Sequence, residues 1–82
     1  MFEYRIERIL AELSNTSGGN RKLLTVTAWN GRPGKLDLRT WREVDGEQQP
    51  GRGVTLNDEE ADTLLAALQD YLGGADDGTD TV

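Results

Sequence analysis

The two tryptophans of this 82-residue chain, Trp29 and Trp41, lie among most of its positive charge. Seven of the nine Lys and Arg residues fall between Arg21 and Arg52, and the last thirty residues contain none. Indole rings can stack on unpaired bases, and cations beside them can neutralise phosphates. The local pattern therefore favours a surface for single-stranded nucleic acid, although the net charge of the chain is -6.

The charge is divided unevenly along the chain. Residues 1–56 carry nine basic and seven acidic side chains, which is +2, whereas residues 57–82 carry eight acidic side chains and no basic one, which is -8. Within residues 18–56 the balance is seven against four, or +3. This asymmetry predicts an electropositive body with an acidic C-terminal region.

Composition excludes several classes of protein. Cys and His are both absent, so neither a disulfide framework nor a Cys/His metal site is expected, and a Ser or Thr nucleophile would lack an evident base. We therefore expect no enzymatic activity, no metal and no cofactor. No stretch approaches the roughly 20 apolar residues of a membrane span. No apolar segment typical of a secretory signal follows Met1, so we expect a cytoplasmic protein, nucleoid-associated if bacterial.

The short chain predicts one domain, residues 1–74, followed by a disordered acidic tail over residues 75–82. A domain of this size buries only about 60% of its extended surface, so its core is marginal. Oligomerisation is a common remedy. The apolar residues of segment 2–13 have helical spacing, but they also alternate with period two if the register slips near Glu7–Arg8, as it does at a β-bulge. Periodicity alone favours the helix.

The middle of the chain predicts a β-hairpin. Residues 21–29 and 35–41 alternate as strands, and the segment between them, Asn30–Gly34, is dense in turn residues. Residues 42–50 form a predicted polar connection, residues 50–53 a turn, and residues 54–56 a short strand.

The final element is a predicted helix. Asn57 is a favourable N-cap, and Glu60 completes a capping-box pattern. Gly73-Gly74 is expected to end the helix. Its apolar stripe consists of Ala61, Leu64, Leu65, Leu68 and Leu72.

Strand parity sorts the hairpin residues onto two faces. Leu24, Val26 and Ala28 share one face with Leu36 and Leu38, and the helix is the expected cover for it. The other face is expected to be exposed; it carries Thr25, Thr27, Trp29, Lys35, Asp37, Arg39 and Trp41.

Each feature of the second face has a plainer interpretation. Exposed tryptophans often pack against a partner subunit or close a hairpin, and cations on a sheet often serve solubility alone. Asp37 amid the cations predicts cross-strand pairing with one of them. The combination is more specific than any one residue.

These segments resemble the PC4-like family, which includes the eukaryotic transcriptional coactivator p15 and bacterial YdbC-type proteins. The resemblance is carried by Leu24–Trp41, Gly46-Glu47, Pro50–Leu56 and the Asn-capped acidic helix, and it covers roughly residues 2–70. It implies an α+β fold in which four antiparallel strands precede one C-terminal helix, assembled as a homodimer. It also implies that residues 2–13 form the first strand, against their helical periodicity.

The resemblance implies non-sequence-specific binding of single-stranded DNA, in transcription or in DNA repair or replication. Trp29 and Trp41 match the family's base-stacking positions, and Arg39 and Arg52 match its basic contacts. The full nucleic-acid-binding set expected here is Trp29, Asn30, Arg32, Lys35, Arg39, Trp41, Arg52, Arg21, Lys22 and Thr27. Leu64, Leu65, Leu68 and Leu72 would cover the sheet and contact the second copy.

Two other functions remain open at this point. The acidic helix and tail suit an adapter that contacts the transcription machinery, and the same sheet suits single-stranded RNA, because stacking does not distinguish the two nucleic acids.

Overall fold

The computed structural model describes residues 3–16 and 18–76. Its elements are β1 (Tyr4–Asn15), β2 (Asn20–Trp29), β3 (Lys35–Val44), β4 (Glu47–Leu56) and α1 (Asp58–Asp76). The strands form one antiparallel sheet in the order β1-β2-β3-β4, and the helix follows the last strand. The α+β architecture implied by the family resemblance is therefore confirmed.

Residues 4–15 form a strand and not the helix that their spacing favoured. The register against β2 shifts between Ile6 and Arg8, as the alternative predicted, and again between Ile9 and Ala11 and between Glu12 and Ser14. Each extra residue bends a strand and increases its twist. The extra residues interrupt the period-two alternation of the strand, so its apolar residues fall at a spacing that imitates a helical pattern.

Two tight turns lie in the connections that join β2 to β3 and β3 to β4. Asn30 and Gly31 both have positive φ (53° and 77°), and Arg32 N donates to Trp29 O at 3.0 Å. Asp45 and Gly46, with φ of 53° and 82°, join β3 to β4. Positive φ at both central residues is the requirement of a type I′ turn, whose twist matches that of the strands.

The predicted polar connection over residues 42–50 is wrong. Strand β3 continues to Val44, β4 begins at Glu47, and the two residues pair directly. The predicted turn over residues 50–53 lies within β4, where an edge strand tolerates the missing amide hydrogen of Pro50.

The predicted sorting of residues onto two faces is confirmed, but the predicted exposure is wrong. Leu24 lies opposite Leu38, and Val26 opposite Leu36, on what we call the outer face. The inner face is the one with the tryptophans, and it contains the fully buried side chains: Leu23, Thr25, Thr27, Asp37 and Trp41.

Curling of the sheet causes this reversal. Tyr4 Oη, on β1, donates to the carbonyl oxygen of Gln48, on β4, at 2.7 Å. The two edge strands thus meet across the inner face and close over it. A sheet that curls on itself buries the side that it encloses, whatever the polarity of that side.

The capping box of α1 is confirmed. Glu60 N donates to Asn57 Oδ1 at 2.7 Å, and Asn57 N donates to Glu60 Oε1 at 2.9 Å. The predicted stop at Gly73-Gly74 is wrong, because neither glycine adopts the positive φ that ends a helix, and α1 runs on to Asp76. Of the predicted tail, residues 77–82 lie outside the described residues.

The helix does not cover the outer face. A single residue, Asn57, separates β4 from α1, so the helix starts at the edge of the sheet, and its principal sheet contacts are with β4. The stripe residues Leu65, Leu68 and Leu72 remain 54%, 46% and 59% exposed. The apolar surfaces of helix and sheet therefore stay largely unpaired within one chain.

The capping box should contribute measurably to stability. We expect Glu60→Ala to lower the free energy of unfolding by about 1 kcal/mol, because the side-chain acceptor for Asn57 N is lost. Glu60→Gln keeps that acceptor and should lose less. Urea denaturation of the two variants measures the difference, and equal losses would show that the carboxylate charge matters and the acceptor does not.

Candidate nucleic-acid interface

Three aromatic rings form a cluster on the inner face, which we call the aromatic cluster. Trp29 and Trp41 are stacked, with ring centroids 6.1 Å apart and planes 11° apart. Tyr4 packs against both, at 5.9 Å from Trp29 and 5.6 Å from Trp41. Residues from β1, β2 and β3 thus meet inside the curled sheet.

Trp41 belongs to the core of this cluster. Its side chain is 0% exposed, and its Nε1 has no hydrogen-bond partner among the described residues. A base cannot stack on a ring that Tyr4 and Trp29 already cover. The predicted open stacking surface at Trp41 is therefore absent in this conformation, because the sheet closes over it.

Trp29 is placed differently. It is the last residue of β2, next to the Asn30-Gly31 turn, and its side chain is only half-buried. The guanidinium carbon of Arg39 lies 4.6 Å from the centroid of its ring. Of the two tryptophans, Trp29 is the more exposed to solvent.

The predicted contact residue Thr27 is buried, not exposed. Its hydroxyl lies 2.6 Å from that of Thr25, and both side chains are 0% exposed. The two hydroxyls satisfy each other inside the curled sheet, which leaves neither accessible to a ligand. The expected exposure of Thr27 is accordingly wrong, and its contact with a nucleic acid stays a prediction.

Asp37 is paired, but not across the strands as predicted. Arg39, two residues along β3, donates from Nε to Oδ2 at 2.7 Å and from Nη2 to Oδ1 at 2.8 Å. Thr55 Oγ1 also donates to Oδ1, at 3.0 Å, and Arg39 Nη1 donates to Gly51 O at 3.0 Å. The carboxylate is 0% exposed and the Arg39 side chain only 15%.

A second group of cations lies near Thr40. Two adjoining depressions, of about 400 and 280 Å³, share Thr40 and Arg52 in their linings; we call them together the Thr40 cleft. Arg42 lines the first and Lys22 the second. All three cations are exposed, and none of them forms a salt bridge within residues 3–16 and 18–76.

Sequence reasoning missed Arg42. The predicted strand stopped at Trp41, so Arg42 fell into a connection whose side-chain directions cannot be assigned. Pairing of Asn20 with Arg42, and of Lys22 with Thr40, places it beside the other two cations. The Asp45-Gly46 turn signal, had it been used to extend β3, would have identified Arg42.

The remaining predicted cations occupy two places. Arg32 and Lys35, at the tip of the β2–β3 hairpin, are exposed, and Arg32 lines a depression of about 480 Å³ together with Arg5. Arg21 instead donates from Nε to Glu12 Oε1 at 2.7 Å, so part of its charge is already neutralised.

Asn30 has a structural role at the hairpin tip. Its Oδ1 accepts a hydrogen bond from Glu3 N at 2.9 Å, and its own backbone N donates to Glu3 O at 2.8 Å. These bonds tie the turn to the start of the chain's first strand. Asn30 thereby helps to position Trp29 and Arg32, its neighbours in sequence.

Other kinds of site find no support in the described part of the chain. Over residues 3–16 and 18–76, no group of three or more acidic side chains is placed to hold a metal ion. The one helix in the described residues is not long and apolar enough to cross a membrane.

A curled antiparallel sheet with unpaired cations, followed by one helix, defines a small α+β domain with the features of a nucleic-acid-binding sheet. The family model described as Transcriptional Coactivator p15 (PC4) matches residues 16–67, and the chain belongs to that family. Membership supports nucleic-acid binding and a role related to transcription. An uncharacterized protein of Treponema pallidum (strain Nichols) is 37% identical over 71 residues, which cover 87% of this chain and 76% of that protein.

The different burial of the two tryptophans is directly testable. We expect acrylamide to quench the fluorescence of a Trp41→Phe variant, which retains Trp29, more strongly than that of a Trp29→Phe variant, which retains Trp41. The reason is that collisional quenching requires access from solvent. Urea-unfolded samples of both variants are the control and should be quenched equally. Equal quenching of the folded variants would contradict the closed inner face.

Proposed function

We propose that this protein binds single-stranded DNA with little sequence preference, as a homodimer and without catalysis, in transcription or in DNA repair or replication. The observation that carries this proposal is the Thr40 cleft, where Lys22, Arg42 and Arg52 are exposed and unpaired by any described carboxylate. Family membership supports the same ligand class.

The cleft has the charge that a phosphate backbone needs. Its cations come from three adjacent strands, β2, β3 and β4, which at about 4.8 Å per strand cover roughly 10 Å. Cations without a protein partner release counterions when they bind phosphates, and this release drives association. Arg21 and Arg39, by contrast, already contact carboxylates.

Trp29 supplies the stacking surface in this proposal. Its indole lies on the inner face, against Arg39 and Trp41. Arg32 and Lys35, which are exposed at the same hairpin tip, would neutralise phosphates next to the stacked base. Trp41 packs against Trp29 on the inner face and does not itself contact a base.

The shape of the sheet favours a single strand over a duplex. Duplex DNA is stiff over about 150 base pairs and bends only at a cost of several kcal/mol, whereas a single strand follows a curled surface freely. The helix α1 carries no Lys or Arg, so it is unsuited to enter a major groove lined by phosphates.

The unpaired apolar surfaces support a homodimer. The described residues that are buried and apolar are only Leu23, Ala28 and Trp41, whereas Val54 on the outer face is 53% exposed and the stripe of α1 is about half exposed. Burying one Leu side chain contributes about 1.5–3 kcal/mol. A second copy that covers the stripe of α1 would supply apolar burial that a single chain lacks.

Binding should depend on the indole of Trp29. We expect Trp29→Ala to weaken binding of a fluorescein-labelled oligo(dT) by about 1–3 kcal/mol, because a stacked base loses its platform, and Trp29→Phe to keep most of the affinity. Fluorescence anisotropy measures both variants. Duplex and oligo(U) strands of equal length test the ligand class: tighter binding of either would overturn the preference for single-stranded DNA.

Assembly should depend on the apolar stripe of α1. We expect the protein to sediment as a dimer and Leu68→Glu to sediment as a monomer, because a buried charge replaces a packed side chain. Ala66→Glu places the same charge on the opposite side of the helix and should leave the dimer intact. A monomeric wild-type protein, or dissociation by both variants alike, would contradict this interface.

A further inference from the structure

The indole of Trp29 lies among other side chains on the inner face. Its ring centroid is 5.9 Å from that of Tyr4, at a tilt of 45°, and 6.1 Å from that of Trp41, at a tilt of 11°. The guanidinium carbon of Arg39 lies 4.6 Å from the same centroid. The side chain is only half-buried, so solvent still reaches part of it. A base that stacks fully on Trp29 must therefore take the place of one of these neighbours.

Two of these neighbours are held firmly. Trp41 is 0% exposed and lies on β3, which pairs with a strand on each side. Arg39 lies on the same strand, and its guanidinium donates two hydrogen bonds to the Asp37 carboxylate and one to Gly51 O. Moving Arg39 away would leave the buried Asp37 without its counter-ion, which is strongly unfavourable. Neither side chain is readily displaced.

Tyr4 is held differently. It lies at the start of β1, an edge strand that pairs with β2 alone, and its side chain is only partly buried. Its ring packs on both indoles, and its hydroxyl donates to Gln48 O at 2.7 Å. Rotation about its side-chain torsions would move the ring away and leave its backbone pairing with Trp29 intact. Tyr4 is therefore the neighbour that a ligand displaces most easily.

The closed arrangement beside Tyr4 leaves polar atoms unsatisfied. The edge strands β1 and β4 are not paired with each other as strands. Trp41 Nε1 and Gln48 Oε1 are buried, and neither has a hydrogen-bond partner within residues 3–16 and 18–76. A buried donor or acceptor without a partner destabilises the state that encloses it. Opening at Tyr4, to water or to a base, would reduce that penalty.

We propose that Tyr4 occupies the position of a stacked base in the free protein, and that a nucleobase displaces its ring from Trp29. This inference rests on the proposed function and adds the step that opens its stacking site. The Tyr4 ring resembles a base in being planar and in carrying a polar group at one edge. Once its hydroxyl leaves, Gln48 O can accept from an N–H group of the base, and every unpaired base carries one on its Watson–Crick edge.

Loosening of Tyr4 should strengthen binding, because apparent affinity scales with the fraction of molecules in which the site is open. We expect Tyr4→Phe, which keeps the ring and removes the bond to Gln48 O, to bind oligo(dT) about fivefold more tightly. Tyr71→Phe is the matched control; it removes the hydroxyl of a tyrosine that is 73% exposed on α1, and it should bind as the wild type does. Unchanged or weaker binding by Tyr4→Phe would overturn the proposal.

Fluorine NMR can observe the displacement itself. Tyr4 and Tyr71 are the two tyrosines of the chain, so labelling with 3-fluorotyrosine gives two signals, which Tyr71→Phe assigns. We expect saturation with oligo(dT) to make the Tyr4 chemical shift as sensitive to the change from light to heavy water as that of Tyr71. A Tyr4 signal that is unchanged at saturation would overturn the displacement and leave the proposed function standing.

A third measurement does not require the ligand. In the Trp41→Phe background Trp29 is the one indole, and we expect Tyr4→Phe to increase its quenching by acrylamide, because the ring covers it for less of the time. Equal quenching with and without the Tyr4 hydroxyl would overturn the covering role. Absence of oligo(dT) binding by the wild type would refute the proposed function and displacement by a base alike, whereas the quenching would still decide whether Tyr4 covers Trp29.

Discussion

The structure depends on the closure of the sheet around the aromatic cluster. Tyr4 packs on both indoles and donates from its hydroxyl to the backbone of Gln48, so the two edge strands are joined across the inner face. Three register shifts in β1 bend that strand enough to reach across. Without this closure the fully buried Trp41, Thr25, Thr27 and Asp37 would lie on an open surface, and the domain would have almost no core.

Closure also determines which residues remain for other molecules. Polar groups enclosed by the sheet satisfy one another, as the two threonine hydroxyls and the Asp37–Arg39 pair do. Among the described residues, the cations without such partners lie around the Thr40 cleft, at the hairpin tip and, in the case of Arg8, on β1. The apolar outer face and the stripe of α1 remain uncovered within one chain. One physical event, the curling of a short sheet, therefore separates the residues that build the protein from those available to a ligand or a second copy.

Much of the architecture was accessible from the residues. Alternation in residues 21–29 and 35–41 correctly predicted the hairpin and the partition of its side chains, and Asn57 with Glu60 correctly predicted the start of the helix. The extent of β3 and β4 was missed although Asp45-Gly46 is a strong signal for a two-residue turn. In residues 4–15 bulges add residues to the strand, so its periodicity favoured a helix. Only the family resemblance identified this segment as a strand.

By itself the sequence determined the hairpin of β2 and β3, the face on which each of its residues lies, the start of the helix and the concentration of cations ahead of an acidic helix, because these follow from local periodicity, turn chemistry and composition. Only the tertiary structure decided which face is buried, that Trp41 is core while Trp29 is accessible, and that Arg39 is paired while Arg42 is exposed. Burial depends on how far the sheet curls, and the curled sheet joins β1 to β4 through Tyr4 and Gln48, which are 44 residues apart. No pattern within a single strand encodes that contact.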